Sequence, residues 1–389
     1  MSDVERQIGQ RRTLGSVTLA LLVTASAFGA TMAVTKPPLS VKPSSSVVQL
    51  TSGPSEHIEP VFSPDGKTLA FSSNQAGSYD IWLVRPDGRK LTMLTSLPGD
   101  EVTPKWNPNG SSIAFLWEHG LYSDLCVSST AKDASECLTD GSHVRSFAWS
   151  HDGLAIAYDA GNGTIRLLNM MNGLDTPFLF DGYVRDPTFG PSPGVLYFSI
   201  RTGAGDYIWN ASLDGSNGRQ LSWEGTDVEP EVSPSGNYLM YLTNLSGRYE
   251  PWLIDLATGV NSYLFNRPDL APAYIFPASP QLASGSIPSW GPSGANMLFV
   301  SSDNHTQGNL YLVTMDVSVD LNQQNSGPVL GFIVPVYDLN IYNRVPVPGL
   351  VNGAQWGPSG NVVIQASMSG FEQLTLLQNG PPVRVGYGG

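Results

Sequence analysis

The chain has 389 residues, with 20 Lys and Arg against 33 Asp and Glu and a formal net charge of -13. This acidic balance excludes a non-specific nucleic-acid binder, which gains affinity by neutralising phosphates. Two cysteines exclude a disulfide-dense scaffold and a four-cysteine zinc site, while 41 Gly and 30 Pro suit a fold with many tight turns.

Residues 13–34 are uncharged over 22 positions, preceded by Arg6, Arg11 and Arg12 and followed by Lys36. A basic leader before an uncharged core marks an export segment with its arginines on the cytoplasmic side. Two readings stand open. The segment is a retained anchor, long enough to span about 30 Å of hydrocarbon. Or it is a signal removed after Ala25-Ser26-Ala27. Residues 1–35 thus form a tail and export segment, and 36–46 a Pro/Ser-rich linker. Beyond residue 35 the chain carries 17 basic and 31 acidic residues.

From residue 47 a repeat dominates. HIEPVFSPDGKTLAFSSN (57–74) aligns with EVTPKWNPNGSSIAFLWE (101–118), and five further copies start near 144, 184, 227, 285 and 351. The frame is Pro-x-aromatic-Ser-Pro-x-Gly, then a short apolar run. Its anchors are Phe62, Trp106, Trp149, Phe189, Val232, Trp290 and Trp356, at spacings of 44, 43, 40, 43, 58 and 66. A period of about 40–45 residues is that of a four-stranded propeller blade, and closed repeats hold so long a chain as one unit. Within the first unit, strands are predicted over 59–63, 68–73, 79–84 and 91–95, separated by Ser63-Pro64-Asp65-Gly66 and Pro86-Asp87-Gly88. Pro presets φ, Gly supplies φ > 0, and Asp-Gly between apolar runs signals a hairpin. The expected fold is all-β, a seven-bladed propeller of four-stranded blades, with six or eight blades as alternatives, preceded by one hydrophobic N-terminal helix.

SPDGKTLAFSSNQAGSYDIWLVRPDG (63–88) resembles the TolB-like propeller repeat, a WD-like family, and the resemblance extends over residues 47–389. It implies a propeller used mostly for protein–protein contacts at the cell envelope. TolB proteins carry an α/β domain ahead of the propeller; here a Pro/Ser linker stands there, so a Tol–Pal role does not carry over.

Ring closure has two candidates. Val47-Val48-Gln49-Leu50-Thr51 matches the strand endings Leu94-Thr95 and Leu138-Thr139, which suggests an N-terminal strand completing the last blade. Gln378-Asn379-Gly380 before Pro382–Val385 also reads as a final hairpin. Two insertions, 266–284 and 317–350, break the period. They either cover blade edges or bind a partner through the aromatics Tyr274, Phe276, Phe332 and Tyr337.

No Gly-x-Ser-x-Gly elbow and no phosphate loop occurs, and the five histidines lack metal-ligand spacing and read as loop residues. No catalytic residue, metal or cofactor is therefore assigned. The start of each innermost strand is more informative. Before the motif proline, the seven repeats place Glu59, Thr103, Ser146, Asp186, Glu229, Ile287 and Gly353. Carboxylates at one ring level focus a negative potential that suits a cation or a basic segment of a partner. The alternative is that they are solvated or hydrogen-bond neighbouring blades. Arg185 beside Asp186 neutralises part of the ring. A shift of 44 residues carries Trp82 onto Cys126 and Met93 onto Cys137, positions facing each other across strands c and d. Directly opposed residues lie about 4.5–5.5 Å apart at Cα, so a Cys126–Cys137 disulfide is expected, formed in an oxidising compartment. Five Asn-x-Ser/Thr sites, at Asn109, Asn162, Asn210, Asn244 and Asn304, are weak glycosylation signals.

The sequence thus describes an exported propeller, tethered to the membrane by residues 13–34 or secreted after their removal, that binds or scaffolds protein partners at the cell envelope. The alternatives are an envelope hydrolase or lyase acting on a glycan or small ester in the channel, and a structural surface-layer component.

Overall fold

The computed structural model describes residues 47–377, apart from 132–134, 191, 224, 246–248, 260, 264–288, 293, 295, 304–306, 315–349 and 369. These residues form 27 β-strands in seven antiparallel sheets. The short strand β1 (Val47–Gln49) comes first. Blade 1 follows as β2 (His57–Phe62), β3 (Leu69–Ser73), β4 (Asp80–Val84) and β5 (Thr92–Met93). Blade 2 is β6 (Asp100–Trp106), β7 (Ser112–His119), β8 (Tyr122–Ser129) and β9 (Ser135–Cys137). Blade 3 is β10 (Ser146–Trp149), β11 (Ala155–Asp159), β12 (Ile165–Asn169) and β13 (Asp175–Pro177). Blade 4 is β14 (Tyr183–Phe189), β15 (Val195–Arg201), β16 (Asp206–Ser212) and β17 (Arg219–Gln220). Blade 5 is β18 (Asp227–Val232), β19 (Tyr238–Thr243), β20 (Glu250–Asp255) and β21 (Asn261–Tyr263). The sixth sheet has three strands among the described residues, β22 (Ser289–Trp290), β23 (Asn296–Asp303) and β24 (Gln307–Thr314). The seventh is β25 (Leu350–Trp356), β26 (Val362–Met368) and β27 (Phe371–Leu377), completed by β1.

The pairing of β1 with β27 decides the ring closure. In blades 1, 2 and 4 a hydroxyl at the end of strand d accepts a backbone N–H of strand c: Ile81 to Thr95 Oγ1 (2.9 Å), Leu125 to Thr139 Oγ1 (2.9 Å) and Ile208 to Ser222 Oγ (2.8 Å). Leu374 donates to Thr51 Oγ1 in the same way at 2.8 Å. Leu50-Thr51 is therefore a strand-d ending that completes the blade built at the far end of the chain. The competing segment 378–385 lies outside the described residues.

From blade 7 through blade 1 to blade 5, neighbouring blades pack face to face. Phe71 and Trp82 of blade 1 meet Val363, Leu374 and Leu376 of blade 7. Ala70 and Ile81 meet Ile113 and Phe115 of blade 2. Phe147, Ile156 and Leu168 of blade 3 join Ala114 and Leu125, and blades 3, 4 and 5 continue the pattern through Phe198 and Tyr241. The middle strand β3 is buried along its whole length because blades cover both its faces. Indole stitches add direction. Trp106 Nε1 donates to Val61 O at 3.1 Å, Trp149 Nε1 to Lys105 O at 3.1 Å, and Trp290 Nε1 to Glu231 O at 3.4 Å. In these three repeats the motif tryptophan ties its blade to the innermost strand of the preceding one.

The Ser-Pro-Asp-Gly turn forms as read. Gly66 adopts φ 69°, its N–H bonds Ser63 O at 2.8 Å, and Ser63 Oγ donates to Asp65 at 2.8 Å. Cys126 and Cys137 are directly opposed and joined by a disulfide, with Cα atoms 3.9 Å apart. Trp82 and Met93 occupy the same register in blade 1. Among the described residues no helix is long and apolar enough to cross a membrane. The export segment 13–34, and the insertion aromatics Tyr274, Phe276, Phe332 and Tyr337, lie outside the described residues.

Candidate binding face and channel

The first site tier arises from a backbone device. Proline has no N–H, so it cannot join a sheet ladder and is tolerated at bulges. In blade 1, Ile58 pairs with Ser72 and Val61 with Ala70, so Glu59-Pro60 together oppose one residue. The same shift occurs between Val102 and Lys105, Arg185 and Thr188, and Val228 and Glu231. At each bulge the residue before proline is left-handed: Glu59 (φ 52°), Thr103 (φ 56°), Asp186 (φ 51°) and Glu229 (φ 53°). Such backbone costs a non-glycine residue about 1–3 kcal/mol and concentrates at functional sites. Blade 3 has Phe147 in the proline position. Its ladder is regular from Ser146–Asp159 through Ala148–Ala157, and Ser146 is not left-handed.

These residues link neighbouring blades. Glu59 accepts the Thr103 N–H at 2.5 Å and the Thr103 hydroxyl at 3.4 Å, while its own N–H bonds Gln365 Oε1 of blade 7 at 3.1 Å. The Glu229 N–H plays the matching part for Asp186. The hydrogen-bonding alternative thus describes Glu59 and Asp186, whereas among the described residues no hydrogen bond reaches the Glu229 carboxylate. Glu59 and Glu229 touch water in the channel mouth, yet protein crowds them. Loss of hydration is the first cause raising both carboxyls above their usual range. Burial also raises Asp186, against the pull of Arg185, whose Nε lies 3.6 Å from Asp186 and whose guanidinium pairs with Asp206. Arg185 therefore divides its charge between two carboxylates and neutralises the ring only in part.

A second tier, two residues further along strand a, is absent from the sequence reading. The variable residue of Pro-x-aromatic is Val61, Lys105, Ala148, Thr188, Glu231, Ser289 and Gln355 in turn, and all seven are half-buried. Lys105 shows where this tier points. Its Nζ donates to Phe147 O of blade 3 at 2.7 Å and lies 5.0 Å from the Phe147 ring centroid. It also feels Glu231 and Glu229 of blade 5 and Glu59 of blade 1. The contact with Phe147 carries the Lys105 side chain from blade 2 across to blade 3. Burial pulls the Lys105 ammonium below its usual range, and the three glutamates oppose this. Burial pushes Glu231 up to about 7; Lys105 lowers it and Glu229 adds to the rise. The signal for this tier was present in the alignment: a strand-a position variable in every repeat is one that packing does not dictate.

Aromatic groups lie at the same end of the sheets as the start of strand a. Strands β6 and β7 are antiparallel, with Asp100 opposite Glu118, so the β7–β8 hairpin sits level with the start of strand a. His119 stacks on Trp117 at 3.7 Å and bonds Asp124 at 2.9 Å, and Tyr122 stacks on His143 at 5.6 Å. Tyr122, Trp223 and Tyr249 are exposed beside the starts of strands a. Two histidines depart from the loop reading. His119 ends β7, and His57 opens β2, is 1% exposed, and packs edge-on against Phe71. Burial pushes His57 down to about 4. No group of three His, Cys, Asp or Glu side chains suited to a metal ion exists among the described residues.

Residues 40–176 match the sequence profile of the TolB beta propeller domain. No curated protein sequence matches the chain. Among solved structures, TolB from Acinetobacter baumannii is 16% identical, with a TM-score of 0.48 over 67% of this chain and 60% of that one. This chain therefore spans less than two thirds of that protein's length. Oligogalacturonate lyase from Vibrio parahaemolyticus is 13% identical, with a TM-score of 0.57 over 85% of this chain and 92% of the lyase. The β-propeller domain of the Trilobed protease from Pyrococcus furiosus, described as having an open velcro topology, is 10% identical. Its TM-score is 0.55 over 86% of this chain and 96% of that domain. At such identities the two likenesses with TM-scores of 0.57 and 0.55 show the fold alone, a β-propeller, and residues 40–176 carry the TolB-like propeller repeat.

Proposed function

We propose that this chain is an exported β-propeller that binds a protein partner at the cell envelope, through the face where the innermost strands begin. In this reading residues 1–35 are tail and export segment, retained as an anchor or removed, 36–46 a linker, and 47–389 the propeller. The observation that carries it is the rim. Three carboxylates, Glu59, Asp186 and Glu229, are held at one ring level by left-handed, proline-directed bulges. Tyr122, Trp223 and Tyr249 are exposed at the same end of the sheets. Carboxylates steer a basic partner segment and fix its register, while aromatic anchors supply most of the affinity. The Cys126–Cys137 disulfide supports an oxidising compartment.

The test is a triple change of Glu59, Asp186 and Glu229 to Gln. Glutamine retains an acceptor for the inter-blade N–H groups, so the fold survives while the charge goes. Partner recovery by pull-down is expected to fall, most at low salt. Unchanged recovery at low and moderate salt rejects the rim as the docking site. A second reading, an envelope enzyme acting on a glycan or small ester in the channel, draws on Lys105 and Glu231, whose proton affinities burial displaces. Turnover of such substrates, lost on changing Lys105 to Met, supports that reading instead.

A further inference from the structure

We infer that the end of the propeller opposite the rim docks on an anionic lipid surface, through basic turns of blade 1 and exposed apolar side chains of blade 3. Strand β2 starts at the rim and runs antiparallel to β3, so the turn joining them, residues 63–68, lies at the far end of the sheet. The turn joining β4 to β5, residues 85–91, lies at that end too. Ten Lys and Arg occur among the described residues, and four of them stand exposed in these two turns: Lys67, Arg85, Arg89 and Lys90. Set against Asp65 and Asp87, the four cations leave the two turns with a net charge of +2, whereas the rim carries Glu59, Asp186 and Glu229. Lys90 is left-handed, at φ 56°, and Asn217 holds the matching place in the blade 4 turn at the same φ. Asparagine tolerates that region and lysine does so only under strain. The turn itself therefore does not call for lysine.

The acidic neighbours do not lock these cations in place. Lys67 Nζ lies 3.2 Å from Asp65 and Arg85 Nε 3.9 Å from Asp87, and the Lys67 side chain is 82% exposed. Exposed pairs of this kind hold weakly, so both cations are free to turn to a lipid phosphate. On blade 3 the turns at the same end present Leu154, Met171 and Leu174, all exposed. Backbone bonds tie them together: Met170 donates to Leu154 O at 2.9 Å, and Asn169 to Leu174 O at 2.8 Å. Cations and apolar side chains on one face suit the boundary of headgroups and acyl chains, where charge and burial act together. Aromatic groups favour that boundary as well, but Tyr122, Trp223 and Tyr249 share their end with the rim carboxylates, which an anionic surface repels. The chain also enters the propeller at the far end. Trp356 closes strand a of blade 7 opposite Val362, Val362 faces Leu377, and Leu377 faces Val47, the first residue of β1. A Cβ built on Gly66 would lie 3.2 Å from the Pro358 ring, so the basic end of blade 1 abuts blade 7, where the chain comes in. Lys36 and Lys42 precede that entry in the sequence. In the anchored reading residues 36–46 reach at most about 40 Å, which keeps the propeller at high local concentration beside a bilayer. The face is not the rim proposed to dock a protein partner and does not depend on that partner.

The test uses the full chain in lipid nanodiscs, with an environment-sensitive fluorophore on Met171→Cys at the proposed face or on Trp223→Cys at the rim end. Discs of phosphatidylcholine are compared with discs holding about a third phosphatidylglycerol, each with a spin-labelled lipid as quencher. In the anionic discs quenching is expected at position 171 and not at position 223. Each uncompensated cation near an anionic surface contributes a factor of about five, so the ratio of docked to undocked propeller, read from the quenched fraction, is expected to fall at least about tenfold in the neutral discs. The same loss is expected in the anionic discs when Lys67, Arg85, Arg89 and Lys90 are all changed to Gln. These changes lie in exposed turns, and thermal unfolding confirms the fold; Arg89→Gln with Lys90→Gln is the substitute where the fourfold variant is not folded. Equal quenching at both positions, equal docking on neutral and anionic discs, or unchanged docking in the charge variant overturns the inference. Loss of docking on adding inorganic phosphate at constant ionic strength marks a site for a free anion and also overturns it. The discs hold no protein partner, so failure here leaves the rim reading standing.

Discussion

Blade 3 and its neighbours solve the same problem with different backbones. In blades 1, 2, 4 and 5 a proline removes one ladder donor, two residues oppose one, and the preceding residue turns left-handed toward the channel mouth. In blade 3 a phenylalanine stands in the proline position, the ladder runs on, and Ser146 pairs with Asp159. Strain at the rim is thus a property of the dipeptide, not of the propeller. Blade 3 contributes no carboxylate there. It instead contributes the Phe147 carbonyl and ring that seat Lys105 of blade 2.

The comparison breaks most sharply at residue 147. Phe147 is fully buried, so Phe147→Ala is expected to cost about 3–5 kcal/mol. Pro104→Ala at the matching position of blade 2 is expected to cost only about 0.4–1 kcal/mol, mainly by freeing the unfolded chain. Urea unfolding of the two variants decides this, and equal losses refute it. Next in size is the bridge that distinguishes blade 2 from blade 1. Replacing both Cys126 and Cys137 by Ala is expected to cost about 2–3 kcal/mol, given the short loop of sequence separation 11. An unchanged urea midpoint means the bridge adds nothing to the c–d pairing.

Glycine sharpens the comparison through a change of sign. Thr103→Gly removes the left-handed penalty and is expected to stabilise by about 0.5–1 kcal/mol after the flexibility of glycine is counted. Ser146→Gly, at a regular strand position, is expected to destabilise by about 0.5–1 kcal/mol. The same sign at both positions contradicts the strain argument.

The last prediction has no effect at neutral pH. His57 is buried neutral, with its proton affinity pushed down to about 4 from 6.5. Above 6.5 neither folded nor unfolded chain carries its proton, and its contribution is complete. As pH falls from 6.5 toward 4 the unfolded chain binds the proton first, and stability is lost. Melting temperature is expected to fall less over that window in His57→Phe than in the parent. Parallel pH profiles exclude His57 as a source of the acid sensitivity.

The fold was legible because its repeat is covalent pattern: the turn Ser63-Pro64-Asp65-Gly66 and the strand ending Leu-Thr are local, and the register of Cys126 with Cys137 follows from a shift by one repeat. The rim was legible for the same reason, since Pro60, Pro104, Pro187 and Pro230 mark it. Its partition was not. That Glu59 is held by the Thr103 N–H while among the described residues no hydrogen bond reaches the Glu229 carboxylate depends on contacts between blades, which no single repeat encodes. The Lys105 contact was illegible for a further reason: Lys105 and the Phe147 carbonyl it bonds are 42 positions apart, on neighbouring blades. His57 was misjudged because a polar residue before an apolar run resembles a loop end, whereas here it is the first strand residue packed on Phe71.

The central claim is that partners dock on the face where the innermost strands begin. Site-specific photocrosslinking in intact envelopes tests it most directly. A photoreactive residue is placed at Ser146, on the rim and free of left-handed backbone, or at the exposed outer-strand position Thr92. The account predicts a discrete protein adduct from position 146, lost in the Glu59, Asp186 and Glu229 triple Gln variant, and none from position 92. The same adduct from position 92 alone would contradict it.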